Sequence, residues 1–221
     1  MKVGDLIADT MWSPGRDYTE AKPAVSVLMP TFRRGSDGTF LRAARSILSQ
    51  SLTDLELIII DDGSRDGTAD QIAELMQQDG RVSVLTHREN IGLPAIGEYE
   101  AYLHARSDYI AFGFDDFIFE RESLSELWLG ACAKPGCAVH GSAELVQADG
   151  TAQLLGAEAV PLECLSYHNF ITNGSFLVPR TVLDDVGLYD PHVLATRLCD
   201  WDLWRRIHRR YPITLADIRR P

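Results

Sequence analysis

Apolar residues in the first half of the chain follow two spacings in turn, one typical of buried strands and one typical of amphipathic helices. Continuous apolar runs predict strands, and apolar residues that recur every three or four positions predict helices. The predicted strands lie at 24–29, 54–60, 82–85 and 109–112, and the predicted helices at 40–48, 66–76 and 94–105. Strands that alternate with helices in this order indicate right-handed βαβ units, so we predict an α/β fold with a mostly parallel sheet.

The pattern becomes irregular after about residue 135. Short strands are predicted at 137–140, 143–146, 152–155, 173–178 and 213–215, with a hairpin turn at 148–150 and helices at 179–186 and 201–209. An Asp-Gly pair between two apolar runs is a strong hairpin signal. This second half is therefore expected to be a mixed region that completes the sheet.

The domain boundaries follow from these patterns. Residues 1–22 are polar without a clear period, and we predict a loose lead-in. A single domain is predicted at 23–221, with a nucleotide-binding half at 23–117 and an acceptor-side half at 118–221. The chain stops soon after its last strand-like run, and we expect it to be a fragment or one domain of a longer protein.

Two of the predicted strands run directly into a pair of carboxylates. Asp61 and Asp62 follow the second strand, and Asp115 and Asp116 follow the fourth. Adjacent carboxylates repel each other, at a cost of about 4 kcal/mol for unit charges ~4 Å apart at an effective dielectric of about 20. Ligands of open α/β sheets bind at the carboxyl ends of strands, where a cation or a ligand hydroxyl can compensate this charge. The two pairs predict a metal-assisted nucleotide site.

The composition excludes several classes of protein. A chain of 221 residues with 45% hydrophobic content can bury one substantial core. Its net charge of −11 argues against nucleic acid as a partner, because phosphates attract basic surfaces. No apolar run approaches the ~20 residues of a membrane span, and the N-terminus lacks the apolar segment of a signal peptide. The cysteines have no CxxC spacing, which favours a cytoplasmic protein; a peripheral position at the inner membrane face stays open.

Several segments, taken in order, resemble the inverting family-2 glycosyltransferases of the GT-A fold. These segments are VSVLMPTF at 25–32, LRAARSILSQS at 41–51, LELIIIDDGS at 55–64, YIAFGFDD at 109–116, NGSFLV at 173–178, VGLYD at 186–190 and DWDLW at 200–204. The resemblance covers 24–209, and the chain-long order makes it more specific than any one motif. It implies a GT-A fold and a sugar transfer from a nucleoside diphosphate, UDP or dTDP, to an acceptor hydroxyl.

The resemblance implies donor contacts at the ends of the first two strands. The segment Pro30-Thr31-Phe32 would bind the donor, with Thr31 facing the base or, alternatively, only bonding its own turn. Asp62 would accept a hydrogen bond from the base, and Asp61 one from the ribose or from a backbone turn. The alternative for both is a plain Asp-Gly turn at the end of a strand, which is a common arrangement.

The loop after the third strand resembles the family's Asn-x-Gly segment. Asn90 and Gly92 carry the match, and the resemblance makes Asn90 a substrate contact. Arg88 would face the diphosphate, although a solvated loop arginine explains it equally well. The following helix begins at Leu93-Pro94-Ala95-Ile96 without the basic or amide residue that the family often places there.

Asp115 and Asp116 stand where the family's metal-binding DxD motif lies. Hard divalent cations prefer carboxylate oxygens and bridge to phosphate oxygens. The resemblance places Mn²⁺ or Mg²⁺ on Asp116, with Asp115 nearer the ribose or a metal-bound water. Phe114 replaces the usual first Asp, which leaves the metal with fewer protein ligands.

Asp200 matches the second residue of the family's Glu-Asp pair, in which Cys199 replaces the Glu. The resemblance makes Asp200 the general base that takes the proton from the acceptor hydroxyl. The plainer interpretation is an N-cap, because Asp200 precedes a predicted helix, and both roles can hold together. Asp202, further into the helix, is the competing candidate for the base.

Three functions are compatible with the sequence. The favoured one is a metal-dependent glycosyltransferase of cell-surface polysaccharide synthesis with a glycan or lipid-linked acceptor. The second is a sugar nucleotidyltransferase, which usually needs a glycine-rich basic loop after the first strand; the segment at 33–36 is only a faint echo of one. The third is a non-catalytic nucleotide-sugar-binding module, which Phe114, Cys199 and the early chain end would favour.

Overall fold

The computed structural model describes residues 7–147, 149–156, 161–190 and 198–216. Its strands are β1 (Met11–Ser13), β2 (Val25–Thr31), β3 (Leu55–Asp61), β4 (Val82–Thr86), β5 (Tyr109–Phe112), β6 (Ala138–His140), β7 (Ala143–Val146), β8 (Ala152–Leu155), β9 (Phe176–Pro179) and β10 (Ile213–Leu215). Its helices are α1 (Thr39–Leu48), α2 (Thr68–Gln78), α3 (Pro94–His104), α4 (Ser123–Ala133), α5 (Arg180–Val186) and α6 (Cys199–His208), with 3₁₀ turns at Leu162–Ser166 and Asn173–Ser175.

An eight-stranded mixed sheet runs through the described part of the chain in the order β1-β4-β3-β2-β5-β9-β6-β10, and β7 and β8 form a separate two-stranded sheet. The central strands β4, β3, β2 and β5 pair in parallel, as do β6 and β10. The added strand β9 runs antiparallel to both β5 and β6. The predicted α/β fold with a mostly parallel sheet and a mixed second half is thus confirmed. Among the described residues, no helix combines the length and the apolar character that a bilayer crossing requires.

Hydrophobic cores cover both faces of the sheet, which is why the central strands are apolar almost throughout. Alternate side chains of β3 point to opposite faces, so Leu57 and Ile59 join one core and Ile58 and Ile60 join the other. The first core contains residues of α1, α2 and α4, and the second contains residues of α3, α5 and α6. Trp204, in the middle of α6, is fully buried in the second core and packs on Phe112 of β5 and Phe176 of β9.

The register of the parallel strands places their ends side by side. Thr31 at the end of β2 pairs with Asp61 at the end of β3, and Asp61 pairs with Thr86 at the end of β4. Asp62 N–H then donates to the Thr31 carbonyl at 3.0 Å, which continues the ladder past the strand. This alignment collects the polar residues that follow each strand at one edge of the sheet.

The predicted elements and the structure differ in four places. Met11–Ser13 is an edge strand antiparallel to β4, so the prediction of a loose lead-in is wrong there; Trp12 also stacks on His104 with ring centroids 4.2 Å apart. Helix α4 was not anticipated. The predicted strand at 173–178 begins with a 3₁₀ turn and becomes extended only at Phe176. The last helix begins at Cys199 rather than after Asp200.

Candidate active site

Two clefts open near the carboxyl ends of the parallel strands. The β3 cleft, about 480 Å³ in volume, is lined by Asp61, Gly63, Ser64, Thr86, His87 and Arg88, among others. The Asp200 cleft, about 610 Å³ in volume, is lined by Leu154, His168, Asn169, Phe170, Asn173 and Asp200, among others. Asp61, predicted to bind the donor, and Asp200, predicted to be catalytic, therefore line separate clefts.

Asp61 is buried at the end of β3 and closes the turn that follows. Only 1% of its surface is exposed, and its Oδ1 accepts a hydrogen bond from Ser64 N–H at 3.1 Å. Gly63 in this turn has φ 72°, and a Cβ there would lie 2.8 Å from the backbone nitrogen of Asn90. A side chain at Gly63 would therefore separate the turn from the loop after β4.

Asp62 accepts four hydrogen bonds from the chain segment after β4. Its Oδ1 accepts from Ile91 N–H at 2.8 Å and lies 2.7 Å from His87 Nδ1, and its Oδ2 accepts from Gly92 N–H at 2.9 Å and from Asn90 Nδ2 at 2.8 Å. Burial alone would raise the pKa of Asp62, but these hydrogen bonds hold it below its usual value. Asp62 and Asn90 thus bind each other, and the nucleotide contacts expected of both stay predictions.

His87 bridges two carboxylates beneath this loop. Its Nδ1 lies 2.7 Å from Asp62 Oδ1, and its Nε2 lies 2.7 Å from Glu100 Oε2 on α3. Burial would lower the pKa of His87, yet the hydrogen bonds and charges of the two carboxylates raise it to about 9. The ring is therefore a buried imidazolium at neutral pH that donates from both nitrogens. No sequence pattern predicted a role for His87.

Asp115 and Asp116 face a cation that belongs to the chain. Arg34 Nε lies 3.3 Å from Asp115 Oδ1, and Arg34 Nη2 lies 3.8 Å from Asp116 Oδ2. The Thr31 hydroxyl donates to Asp115 Oδ2 at 2.9 Å, so its proton is directed to this carboxylate. Burial raises the pKa of Asp115, and the bonds from Thr31 and Arg34 offset only part of that rise. The Asp116 side chain is 67% exposed.

Asp200 lies in the first turn of α6 at the wall of the Asp200 cleft. Helix α6 begins one residue before it and has no side-chain cap, so the N-cap interpretation of Asp200 is wrong. Its Oδ2 accepts from Asn169 Nδ2 at 3.3 Å. Burial raises the pKa of Asp200, although the hydrogen bonds from Trp201 N–H and Asn169 lower it in part. A carboxylate of raised pKa beside an open cleft is a reasonable proton acceptor.

Asp202, the competing candidate for the base, is engaged along its own helix. Arg206 Nε donates to Asp202 Oδ2 at 2.7 Å, and the guanidinium also bonds the backbone carbonyls at 186–188. Its i,i+4 partner holds this carboxylate on the helix surface. Asp200, and not Asp202, is among the residues that line the Asp200 cleft.

The buried surroundings of Asp200 include a carboxyl group that sequence reasoning missed. Glu98 of α3 is 2% exposed, and its Oε2 accepts from the Tyr189 hydroxyl at 2.5 Å. Burial raises the pKa of Glu98 to about 8, and the charge of Asp200 adds to that rise. Burial likewise raises the pKa of Cys199 to about 11, so its thiol stays neutral. An acidic residue within the apolar first turns of α3 was the available signal.

Residues 26–159 match the family described as Glycosyl transferase family 2. The chain belongs to glycosyl transferase family 2. One curated relative is the GalNAc(5)-diNAcBac-PP-undecaprenol beta-1,3-glucosyltransferase of Campylobacter jejuni. The two sequences are 30% identical over 105 residues, which are 48% of this chain and 33% of the relative. The chain spans only 27% to 42% of the length of three curated relatives that it matches.

Two solved structures share the fold of this family 2 chain. TarS of Staphylococcus aureus in complex with UDP-GlcNAc superposes with a TM-score of 0.71 at 21% identity over 89% of this chain and 56% of that chain. The mannosyltransferase PcManGT of Pyrobaculum calidifontis, in complex with GDP-Man and Mn²⁺, gives a TM-score of 0.67 at 17% identity over 94% of this chain and 58% of that chain. The chain therefore has the GT-A fold, as the motif order predicts.

Asp115 and Asp116, which the resemblance places at the DxD position, would fit a divalent cation that takes only one or two ligands from the protein. Among the residues that the structure describes, no group of three or more His, Cys, Asp or Glu side chains is arranged to hold a metal. Magnesium-like sites, however, commonly use one or two carboxylates together with substrate phosphates and waters. Asp116 offers an exposed carboxylate, and Asp115 offers a second one beside it. Phe114 adds no ligand, in agreement with the sequence analysis.

The remaining predicted donor residues take different positions in this family 2 fold. Pro30 and Thr31 end β2, and Phe32 begins the next loop, where the Arg33 guanidinium lies 5.1 Å from its ring centre. Arg88 is 76% exposed at the β3 cleft, and its Nη1 lies 3.4 Å from Asp9 Oδ2. The chain thus places Arg34, which the sequence analysis took only as part of a faint loop signal, at the Asp115–Asp116 pair, and Arg88 beside Asp61.

Proposed function

We propose that this chain is the catalytic part of an inverting glycosyltransferase that moves a sugar from a nucleoside-diphosphate sugar to an acceptor hydroxyl in the synthesis of a cell-surface glycan. The observation that carries the proposal is that Asp200 lines one cleft and Asp61 the other, with Asp115 joined to the end of β2 by the hydrogen bond from the Thr31 hydroxyl. Its support from relatives is the UDP-GlcNAc and GDP-Man bound by two proteins of the same fold.

The donor would bind across the ends of β2 and β3, at the crevice where ligands of open α/β sheets bind. Asp61 and Asp62 would recognise the ribose and the base, and Arg88 lines the same β3 cleft. The diphosphate would reach Asp115 and Asp116. A divalent cation held by Asp116 and Asp115 would neutralise charge on the leaving diphosphate when bound. UDP and dTDP are the nucleotides that we propose, with UDP-GlcNAc bound by TarS as support. The base imide N–H would have to replace one of the present donors to Asp62, and the Asn90 amide at 2.8 Å is the one that we propose is exchanged.

Asp200 would act as the general base. Attack from the face opposite the diphosphate requires a base on the acceptor side, and Asp200 lies at the wall of the Asp200 cleft, where we propose that the acceptor binds. Burial raises the pKa of Asp200, which brings it nearer to neutral pH and strengthens it as a proton acceptor. Asn169 would orient it, since its amide donates to Asp200 Oδ2.

The Asp200 cleft would bind the acceptor glycan. Within the described part of the chain, the side-chain oxygens of Asn169 and Asn173 are buried and have no hydrogen-bond partner, although both residues line this cleft. An acceptor hydroxyl can satisfy such an oxygen, which is otherwise costly to bury. Phe170 adds an apolar surface on which a sugar ring can pack.

The proposal is tested first by the loss of the base. We expect Asp200→Asn to lower donor hydrolysis or transfer by about 10²–10⁴-fold, the usual contribution of a positioned base, with nearly unchanged affinity for UDP. Asp202→Asn is the matched control, because it makes the same change two residues further along α6. This variant should retain most activity. Hydrolysis of UDP-sugars with Mn²⁺ present is a usable assay while the acceptor is unidentified. Full activity in Asp200→Asn together with loss in Asp202→Asn would reverse the assignment.

Two other functions are separated by the same assay. Release of pyrophosphate from a nucleoside triphosphate would indicate a sugar nucleotidyltransferase. Tight binding of a nucleotide sugar with neither transfer nor hydrolysis would indicate a non-catalytic binding module, which the replacement of the family's Glu by neutral Cys199 favours.

A further inference from the structure

Arg34 gives the Asp115–Asp116 pair a cation that belongs to the chain itself. One guanidinium spans both carboxylates, with Nε 3.3 Å from Asp115 Oδ1 and Nη2 3.8 Å from Asp116 Oδ2. Its Nη1 lies 3.5 Å from Asp37 Oδ2, so this guanidinium faces three carboxylates. The side chain is 36% exposed. It is therefore close enough to neutralise the pair, and accessible enough to leave it.

The backbone of Arg34 is fixed by the start of α2. Arg34 N–H donates to the Thr68 hydroxyl at 2.9 Å, and Gly35 N–H donates to Asp66 Oδ2 at 3.2 Å. The Gln71 side chain donates to the Gly35 carbonyl at 2.8 Å, and a Cβ at Gly35 would lie 2.6 Å from the Asp66 carbonyl oxygen. The loop is thus pressed against the helix, and Arg34 is directed to the carboxylates from a rigid base.

A divalent cation and this guanidinium need the same oxygens. We propose that Arg34 is a built-in counter-ion that competes with the divalent cation for Asp115 and Asp116, and that it transfers to the donor diphosphate when the donor binds. This inference rests on the proposed function for the identity of the incoming anion. It predicts that metal and nucleotide bind with positive coupling, because the diphosphate removes the competitor and adds phosphate ligands at the same time.

Manganese binding without any nucleotide tests the competition. We expect Arg34→Gln to bind Mn²⁺ about fivefold more tightly than the unaltered chain, measured by electron paramagnetic resonance of free Mn²⁺, as expected when one partly exposed ion pair is removed. Arg33→Gln is the matched control, because it removes the same charge from the neighbouring residue whose guanidinium lies over Phe32. Its Mn²⁺ affinity should change less than twofold. Asp116→Asn should abolish the tight site in both backgrounds.

Equal or weaker Mn²⁺ binding in Arg34→Gln would overturn the competition, and so would an equal gain in Arg33→Gln. The transfer to the diphosphate has its own measurement: UDP should raise the Mn²⁺ affinity of the unaltered chain more than that of Arg34→Gln. An equal effect of UDP in both would overturn the transfer. If the unaltered chain binds no UDP, dTDP or GDP, the donor assignment of the proposed function fails, while the comparison without nucleotide still decides whether Arg34 competes with the metal.

Discussion

The two carboxylate pairs at the strand ends are alike in sequence and opposite in how their charge is compensated. Asp62 is held by backbone and side-chain donors that cannot leave, including the buried imidazolium of His87. Asp115 and Asp116 face one partly exposed guanidinium at 3.3 and 3.8 Å. The first pair is therefore part of the rigid frame, whereas the second has a partner that can be exchanged. In the function that we propose, the rigid pair would serve the nucleotide and the exchangeable pair the cation.

The largest expected effect concerns the fixed pair. We expect Asp62→Asn to lower the free energy of unfolding by about 3–5 kcal/mol, because it leaves the buried His87 imidazolium without one of its two carboxylates and weakens the bonds to Ile91 and Gly92. Asp116→Asn, the same change in the exchangeable pair, should alter it by less than about 0.5 kcal/mol. Urea unfolding of both variants measures this. Similar losses in the two would break the comparison.

The second-largest effect is the pH dependence of the free energy of unfolding, which should involve the Asp62–His87 contact and not the Asp115–Asp116 pair. The pKa of His87 is raised to about 9 in the folded chain, whereas an unperturbed His has a pKa of about 6.5. The folded state therefore holds the His87 proton more tightly than the unfolded state does. The contribution of His87 to the free energy of unfolding is complete below about pH 6.5 and is lost as the pH rises to about 9. The loss amounts to about 3 kcal/mol.

Unfolding by urea at intervals between about pH 6 and pH 9 checks this prediction. His87→Gln should remove most of the slope in this window, whereas Asp115→Asn should leave it in place. Burial raises the pKa of Glu98 to about 8, so Glu98 also lowers the free energy of unfolding as the pH rises above about 5. The variant Glu98→Gln is the control that separates its effect from that of His87. A slope unchanged in His87→Gln would show that the ring is not a buried imidazolium.

The smallest effect belongs to the exchangeable pair. Asp115→Asn removes the charge that faces Arg34 but keeps an oxygen for the Thr31 hydroxyl, so we expect a change in unfolding free energy of about 0.5–1 kcal/mol at low salt. Because a partly exposed ion pair is screened, this change should shrink in about 0.5 M NaCl. A change that is independent of salt would mean that Arg34 and Asp115 are fixed as firmly as Asp62 and His87.

Sequence patterns predicted the parts of this molecule that depend on neighbours in the chain. The apolar strands, the carboxylates at their ends and the position of Asp200 near a helix start could all be read locally, because burial on both faces of a sheet demands continuous apolar runs. The strand Met11–Ser13 was missed because it is short and alternates without a clear apolar face. The motif order supplied the family, since its landmarks recur along most of the chain.

The missed residues are those whose roles depend on distant partners. His87 meets Asp62 across 25 positions, and Tyr189 meets Glu98 across 91. Nothing in a single sequence indicates such pairs, because burial of a polar residue is only decided when the helices pack on the sheet. The same reason explains Arg34, whose carboxylate partners lie beyond β5.

The hairpin of β7 and β8 forms part of the wall of the Asp200 cleft. Among the residues that the structure describes, its two strands pair with no other strand, and Leu145, Val146 and Leu154 are largely exposed. A two-stranded hairpin is marginally stable by itself, so its amides should exchange hydrogen with solvent far faster than those of β2 and β3. Leu154 and Leu155 also line the Asp200 cleft. This wall, which we propose contacts the acceptor, is therefore the part of the cleft that substitutions can reshape at least cost to folding, while Asp200 on helix α6 stays in place.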